Sequence, residues 1–366
     1  MKVVGITLEN LTKKFGKVVA VDHINLKIED GEFVTLLGPS GCGKTTTLRM
    51  IAGLETPTEG EVYFDGKSVT DTPPHQRNVA MVFQDYALYP HMNAYDNIAF
   101  NLRMKKRPRD EIRQLVKETA ELLKIEHLLD RFPAEMSGGE KQRVALGRAL
   151  VRQPVVFLLD EPLSSIDTKL REEMRSELIK IHEKIKTTFI YVTHDQVEAM
   201  TLSKRFAVMN YGRITQFDTP MNIYNKPLNT FIASFVGSPT ITLFTGKIVR
   251  DPTEDRLLFK GEGFVYPIPK SLKLSEAIVG TKITLGVRPE DVSVSKLRKD
   301  EGISTKIYTR EPRGDETILS VKFKDVLVKA KVHPESGFQV GEPVIVTFKK
   351  VYLFDENSKL FARWQP

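Results

Sequence analysis

The 366-residue sequence holds one cysteine, Cys42, so no disulfide can form within the chain and nothing points to an oxidising compartment. Long apolar runs are missing too. The longest, near Val155–Leu159, is strand-sized and far short of the ~18–20 residues of a membrane helix. The first nine residues are broken by polar side chains too early for a signal peptide. Blocks of one charge sign are lacking where the basic excess lies. Residues 240–366 carry 22 Lys+Arg against 17 Asp+Glu, most of the net +7, but these charges stand singly among acids with no aromatic interleaving. That pattern reads as a solvated surface, and no nucleic-acid partner is expected. A cytosolic protein is the default, with ordinary globular composition (41% hydrophobic, 28% charged) and length for two or three domains.

What is present is a glycine-rich octet, Gly38-Pro39-Ser40-Gly41-Cys42-Gly43-Lys44-Thr45. It follows the apolar run Phe33–Leu37, a buried strand, and precedes Thr46–Ala52, which can continue as a helix until Gly53 stops it. Strand, glycine turn and helix is the context in which the spacing G-x-x-x-x-G-K-[ST] becomes a phosphate site. Backbone N–H groups close around an anion and the helix points its positive end at it. Lys44 supplies charge for the β- and γ-phosphates, and Thr45 a hydroxyl for Mg²⁺.

Before the octet, residues 3–8 and 24–28 predict an antiparallel opening around a Lys13–Lys17 turn that carries Phe15. That ring either stacks on a purine or folds onto the sheet edge. Residues 61–70 predict a hairpin at Asp65-Gly66. Val79–Phe83 reads as a second buried strand, with Gln84 at its end. From about Asp96 to Arg152 the period is helical, with Ile112, Leu115, Val116, Thr119, Leu122 and Leu123 on one face of the stretch 110–124. Ser137-Gly138-Gly139-Glu140 has capping-box spacing, yet two glycines would weaken an ordinary helix start; they suit an anion approaching exposed N–H groups.

Val155–Leu159 is a third buried strand ending in Asp160-Glu161. Two carboxylates there are costly unless paired or bound to a metal. Asp160 suits the Mg²⁺ shell and Glu161 a general base. Asp167 follows in the loop 163–167, then a helix from about Thr168 to Lys186 and a strand 188–193. His194, at that strand's end, is placed to reach a γ-phosphate. Strands alternating with helices, with polar residues at strand ends, indicate an α/β domain with its ligand at a topological switch point. Gly237-Ser238-Pro239 looks like a boundary, and beyond it short alternating strands, among them 317–323 and 326–332, predict a small all-β module, a barrel, with turns such as Gly261-Glu262-Gly263.

With these residues in view, the chain resembles the ATP-binding subunits of ABC transporters, most closely those of maltose-type and multiple-sugar importers. The likeness runs over nearly the whole length. It comprises Phe15 as the adenine-stacking aromatic, the phosphate loop 38–45 with Thr46, the Gln84 loop through Pro90, and the signature Ser137–Glu140. It continues through Asp160-Glu161, the Asp167 loop and the stretch Tyr191–Met200 containing His194. The resemblance implies an α/β P-loop ATPase domain (1–236) with a helical insert at about 90–152, then an OB-type β accessory domain (237–366). It implies ATP hydrolysis with Mg²⁺ held by Thr45, Gln84 and Asp160, and catalysis by Lys44, Gln84, Glu161 and His194.

Partners follow from the same likeness: a second copy arranged head to tail, with Ser137 and Gly139 on the other chain's γ-phosphate, two membrane permease subunits docking near Gln84–Pro90, and indirectly an extracytoplasmic solute receptor. The implied location is peripheral, on the cytoplasmic face of the membrane. The alternatives are the same engine serving polyamines, iron or inorganic anions, or a soluble ABC-type ATPase acting on nucleic acid. Two positions depart from the pattern. Glu140 replaces the usual Gln, leaving its effect on turnover open, and Ile166 replaces the commoner Leu.

Overall fold

The computed structural model describes residues 3–364 apart from 165, 253, 255, 262, 269–271, 273, 275–277 and 297–301. Ser165 of the Asp167 loop and Glu262 of one expected turn lie outside the described residues. The chain divides into two units, 1–220 and 221–366.

In the first unit, β1 (Ile6–Phe15) and β2 (Val18–Ile28) pair antiparallel as expected, but the pairing runs on to Phe15–Val18. Phe15 is therefore the last strand residue, and the turn is only Gly16-Lys17. Next come β3 (Phe33–Leu37) and α1 (Lys44–Ala52), which Gly53 ends at φ 77°. β4 (Glu59–Phe64) and β5 (Lys67–Ser68) form the Asp65-Gly66 hairpin, both turn residues at positive φ as this hand of turn requires. β6 (Val79–Val82) leads to three helices within the expected insert, α2 (Ala94–Met104), α3 (Arg109–Leu123) and α4 (Gly138–Leu150). Ile112, Val116, Thr119 and Leu123 are buried as their spacing predicts, while Leu115 and Leu122 are half-buried.

The unit closes with β7 (Val156–Asp160), α5 (Thr168–Ile185), β8 (Thr188–Thr193), α6 (Gln196–Leu202), β9 (Arg205–Asn210) and β10 (Arg213–Asp218). The central sheet has the order β10-β9-β3-β8-β7-β6 and is parallel except for β10. Every residue of β3, β7 and β8 is buried, because both faces are covered. Alternate residues feed two cores: Phe157, Leu159 and Phe189 join the helical insert, whereas Val156, Leu158 and Ile190 join β1, β2 and α1. The register Leu37–Thr193 and Asp160–Val192 lines up the carboxyl ends of β3, β8 and β7.

The second unit starts with α7 (Pro220–Asn225) and α8 (Thr230–Phe235), so the expected boundary at 237 is displaced upstream. The physical reason is Arg288, fully buried, which donates to the carbonyls of Val236 and Tyr224 at 2.8 Å each and lies 3.8 Å over the Tyr224 ring. Lys350 and Arg363 grip Asn225 as well. The strands follow: β11 (Thr242–Arg250), β12 (Leu257–Gly261), β13 (Phe264–Pro267), β14 (Lys282–Val287), β15 (Val292–Ser295), β16 (Ile303–Pro312), β17 (Thr317–Phe323), β18 (Val326–Val332), β19 (Pro343–Phe348), β20 (Val351–Phe354) and β21 (Leu360–Trp364). They form two antiparallel sheets, β13-β12-β11-β14-β20-β21 and β15-β19-β16-β17-β18, sharing a core rich in phenylalanine (Phe244, Phe259, Phe264, Phe323, Phe348). The expected small all-β module is thus built from these two sheets.

Candidate functional site

The octet turns directly from β3 into α1. Gly43 caps the helix at φ 101°, and a Cβ there would stand 2.4 Å from the Ala20 carbonyl oxygen of β2. Only glycine satisfies both the left-handed backbone and the close strand. The Lys44 ammonium is buried and donates to the Gly38 and Pro39 carbonyls at 2.8 and 2.9 Å, so its charge is held within the loop. Cys42 is buried and its thiol is pushed up by desolvation. Ala20 lies two residues beyond Val18, the partner of Phe15, so the hairpin that crosses the octet ends in the half-exposed Phe15 ring, with the Lys13 ammonium 5.0 Å from its centroid.

Parallel neighbours bring the acidic residues to the same edge. Thr45 Oγ1 donates to Asp160 Oδ1 at 2.8 Å. Burial pushes the Asp160 carboxyl above the ordinary carboxylate range, opposed by that hydrogen bond. Glu161 has left the strand and sits at φ 46°, a sparsely populated conformation for a non-glycine residue, with its N–H on the Val192 carbonyl at 3.0 Å. This turn aims Oε2 at His194 Nδ1, 3.0 Å away. A carboxylate only accepts, so Nδ1 carries the hydrogen. Behind His194, Glu198 is buried and accepts from Tyr191 and Thr193, a support that sequence reasoning missed. Gln84 is exposed just past β6, at the same edge of the sheet.

The signature is elsewhere. Ser137 caps α4, its N–H donating to Glu140 Oε2 at 2.8 Å, so both halves of the capping box are formed. That backbone bond holds the Glu140 carboxyl below its usual range, and the carboxylate is turned back onto Ser137. The two glycines differ in kind. A Cβ on Gly138 would meet only ordinary contacts with Ile166 and the Tyr86 hydroxyl, at 3.5 and 3.6 Å, whereas one on Gly139 would stand 2.3 Å from a Leu170 methyl. Gly139 is therefore packed closely against the Leu170 side chain of α5, which would have to shift to admit a Cβ, a contact the sequence did not reveal. Ser137–Glu140 make no hydrogen bond to the octet, Asp160, Glu161 or His194 among the described residues.

Arg148 is a second omission. It donates to the carbonyls of Tyr86 and Ala87 at 2.9 and 2.6 Å, holding the segment after Gln84 to α4. The one available signal was a cation three and four residues from Ala145 and Val144, on a buried face of the helix.

The profile of the ABC transporter family matches residues 21–164, and that of the TOBE domain matches 285–353. The trehalose/maltose import ATP-binding protein MalK of Thermococcus litoralis is 47% identical over 97% of this chain and 98% of its own length. The chain belongs to the ABC transporter ATP-binding proteins. The osmoprotective compounds uptake ATP-binding protein GgtA of Synechocystis is 50% identical, over 97% and 98% of the two lengths. A solved ABC cassette, a dimer in a post-hydrolysis state bound to ADP and phosphate, superposes with a TM-score of 0.54. It is 34% identical and covers 59% of this chain and 98% of its own. This ABC protein is accordingly an ATPase, an α/β P-loop domain with a helical insert followed by an OB-type β domain.

Proposed function

We propose that this ABC ATPase drives sugar import through a membrane permease, working as a head-to-tail dimer at the cytoplasmic face of the membrane. The observation that carries the reading is that two anion-suited loops of one chain are not joined: the octet lies with Asp160 and Glu161 meets His194, while the capped signature makes no hydrogen bond to any of them among the described residues. A two-fold pair uses both by setting each signature against the other chain's nucleotide. The octet with Thr46 grips the triphosphate of ATP, Lys44 faces the β- and γ-phosphates, and Phe15 stacks on adenine. Ser137, Gly138, Gly139 and Glu140 come from the second copy, with N–H groups at a helix start suited to the γ-phosphate.

Thr45 and Asp160 fit a hard cation. Among the described residues no cluster of three or more His, Cys, Asp or Glu is found, so water and phosphate would have to complete the shell. Mg²⁺ there, with Gln84 as a further ligand, would neutralise charge on the transferring phosphoryl group. Glu161 takes a proton from the attacking water, a new bond forms to the γ-phosphorus, and the bond to the bridging oxygen breaks to leave ADP and phosphate. His194 fixes the Glu161 carboxylate through Nδ1, and its Nε2 faces the γ-phosphate.

Sugar as the solute class rests on the likeness to the trehalose/maltose protein over nearly its whole length. An extracytoplasmic receptor would choose the sugar, so this chain never touches it. Among the described residues no helix is long and apolar enough to cross a membrane, which suits a peripheral subunit docked near Gln84–Pro90.

Light scattering tests the shared site. Glu161→Gln should bind ATP, turn over at least ~100-fold more slowly and accumulate as a dimer with ATP but not ADP. Adding Gly138→Asp, whose Cβ would meet only ordinary contacts, should abolish the ATP-dependent increment while each monomer still binds ATP. An unchanged increment sinks the model. Co-purification with membrane subunits, and loss of growth on the sugar when the gene is deleted, test the import reading.

A further inference from the structure

The segment after Gln84 is held in an unusual shape. Tyr86 and Ala87 are both left-handed, at φ 59° and 47°, and neither is glycine. Two such residues in succession are costly unless the surroundings impose them. The surroundings are specific. The Arg148 guanidinium forks onto the two carbonyls that this backbone turns towards α4, and its charge lies 5.4 Å from the Tyr89 ring centroid. Tyr89 is tied separately to α2, its N–H donating to Asn97 Oδ1 at 2.8 Å and its carbonyl accepting from Asn97 Nδ2 at 3.1 Å.

The same segment reaches the other end of α4. The Tyr86 hydroxyl stands 3.6 Å from where a Gly138 Cβ would be, beside Ile166. Gly138 and Arg148 lie ten residues apart, roughly 15 Å along the helix. The backbone of Tyr86 is thus held by a side chain that leaves α4 near its C-terminus, while its hydroxyl lies beside the signature at the N-terminus. A rigid rod touched at both ends by one strained segment has the form of a linkage.

We propose that Arg148 is a positioning residue which, through Tyr86, couples the conformation of segment 84–90 to engagement of the signature with a nucleotide. This rests on the reading that the signature meets the ATP of a second copy. Coupling between binding events is reciprocal, so ATP-driven engagement must alter the segment even where no membrane partner is present.

The test therefore uses the full chain alone. In Glu161→Gln with Mg²⁺, amide hydrogen exchange of peptides covering 86–90, which leave out the Mg²⁺ ligand Gln84, is compared with and without ATP, with β17–β18 as the reference. Exchange of 86–90 should slow by about fivefold or more on adding ATP, the lower end of measured couplings. With Arg148→Ala added, that ratio should fall to about one, while ATP binding and the ATP-dependent dimer persist. A merely structural Arg148 would change exchange equally in both states and leave the ratio intact, which overturns the proposal. Arg148→Lys keeps charge and length but loses the fork, and must lower the ratio too; if Arg148→Ala does not fold, this variant decides. A dimer whose segment ignores ATP overturns the linkage alone. If no ATP-dependent dimer forms, the shared-site reading fails and the linkage fails with it.

Discussion

Asp160 carries a conflict between stability and use. Burial raises its carboxyl above the ordinary range, so the folded state holds the proton more tightly than the unfolded one. Stability contributed by this group is then fully present below the unfolded value and declines as pH rises through the folded one. Asp160→Asn keeps an acceptor for Thr45 and removes the buried charge. Without nucleotide or metal it should raise the melting midpoint at pH 8, with the gain vanishing at acid pH, while Mg²⁺-dependent ATP turnover is lost. A lower midpoint at pH 8 would contradict this. Glu140 is the opposite case. Its carboxylate is already used by the Ser137 N–H, and glutamine can fill the same half of the capping box. Glu140→Gln should shift stability by no more than about 0.5 kcal/mol and turnover by no more than about twofold, read by calorimetry and phosphate release. The turn into α1 at Gly43-Lys44 and the capping box of Ser137 and Glu140 were legible in the sequence because each belongs to a contiguous local pattern. The contact of Thr45 with Asp160, 115 positions away, was not, since only strand order creates it.

Among the elements, strands with both faces covered or with strict alternation were the easiest to read. β3 and β18 coincide with their apolar and alternating runs, and Gly53 ends α1 where a left-handed cap was due. Harder to see was anything decided by a neighbour. β1 runs past Lys13 because β2 pairs with it to the end, and Leu170 of α5 occupies the space beside Gly139, so a larger residue there must displace it. Gly139→Ala should therefore destabilise the first unit by about 1–3 kcal/mol in denaturant unfolding, and shortening the neighbour in Gly139→Ala/Leu170→Ala should recover part of that loss. An additive double variant would show that the two elements do not compete for this space. The segment 86–89 belongs to this scale too. A charge placed at Ala87 or Leu88 should uncouple transport while the isolated subunit still hydrolyses ATP.

At the scale of the molecule, each unit has its own hydrophobic cores, so calorimetry should resolve effects on one from effects on the other. Arg288→Met would remove a fully buried cation that satisfies two carbonyls. It should lower the transition of the second unit by about 2–4 kcal/mol and leave ATP binding by the first intact. Loss of ATP binding would argue against independent units. The Arg288 fork also decides where the chain can be divided. Cutting after 236 separates α7 and α8 from the guanidinium that holds them and lays open Ile223, Ile232 and Ala233, all fully buried. Cutting just before Pro220, the first residue of α7, leaves both helices with their anchor. For anyone grafting the accessory module of one transporter onto the motor of another, the seam belongs at 220, and the two helices should travel with the module.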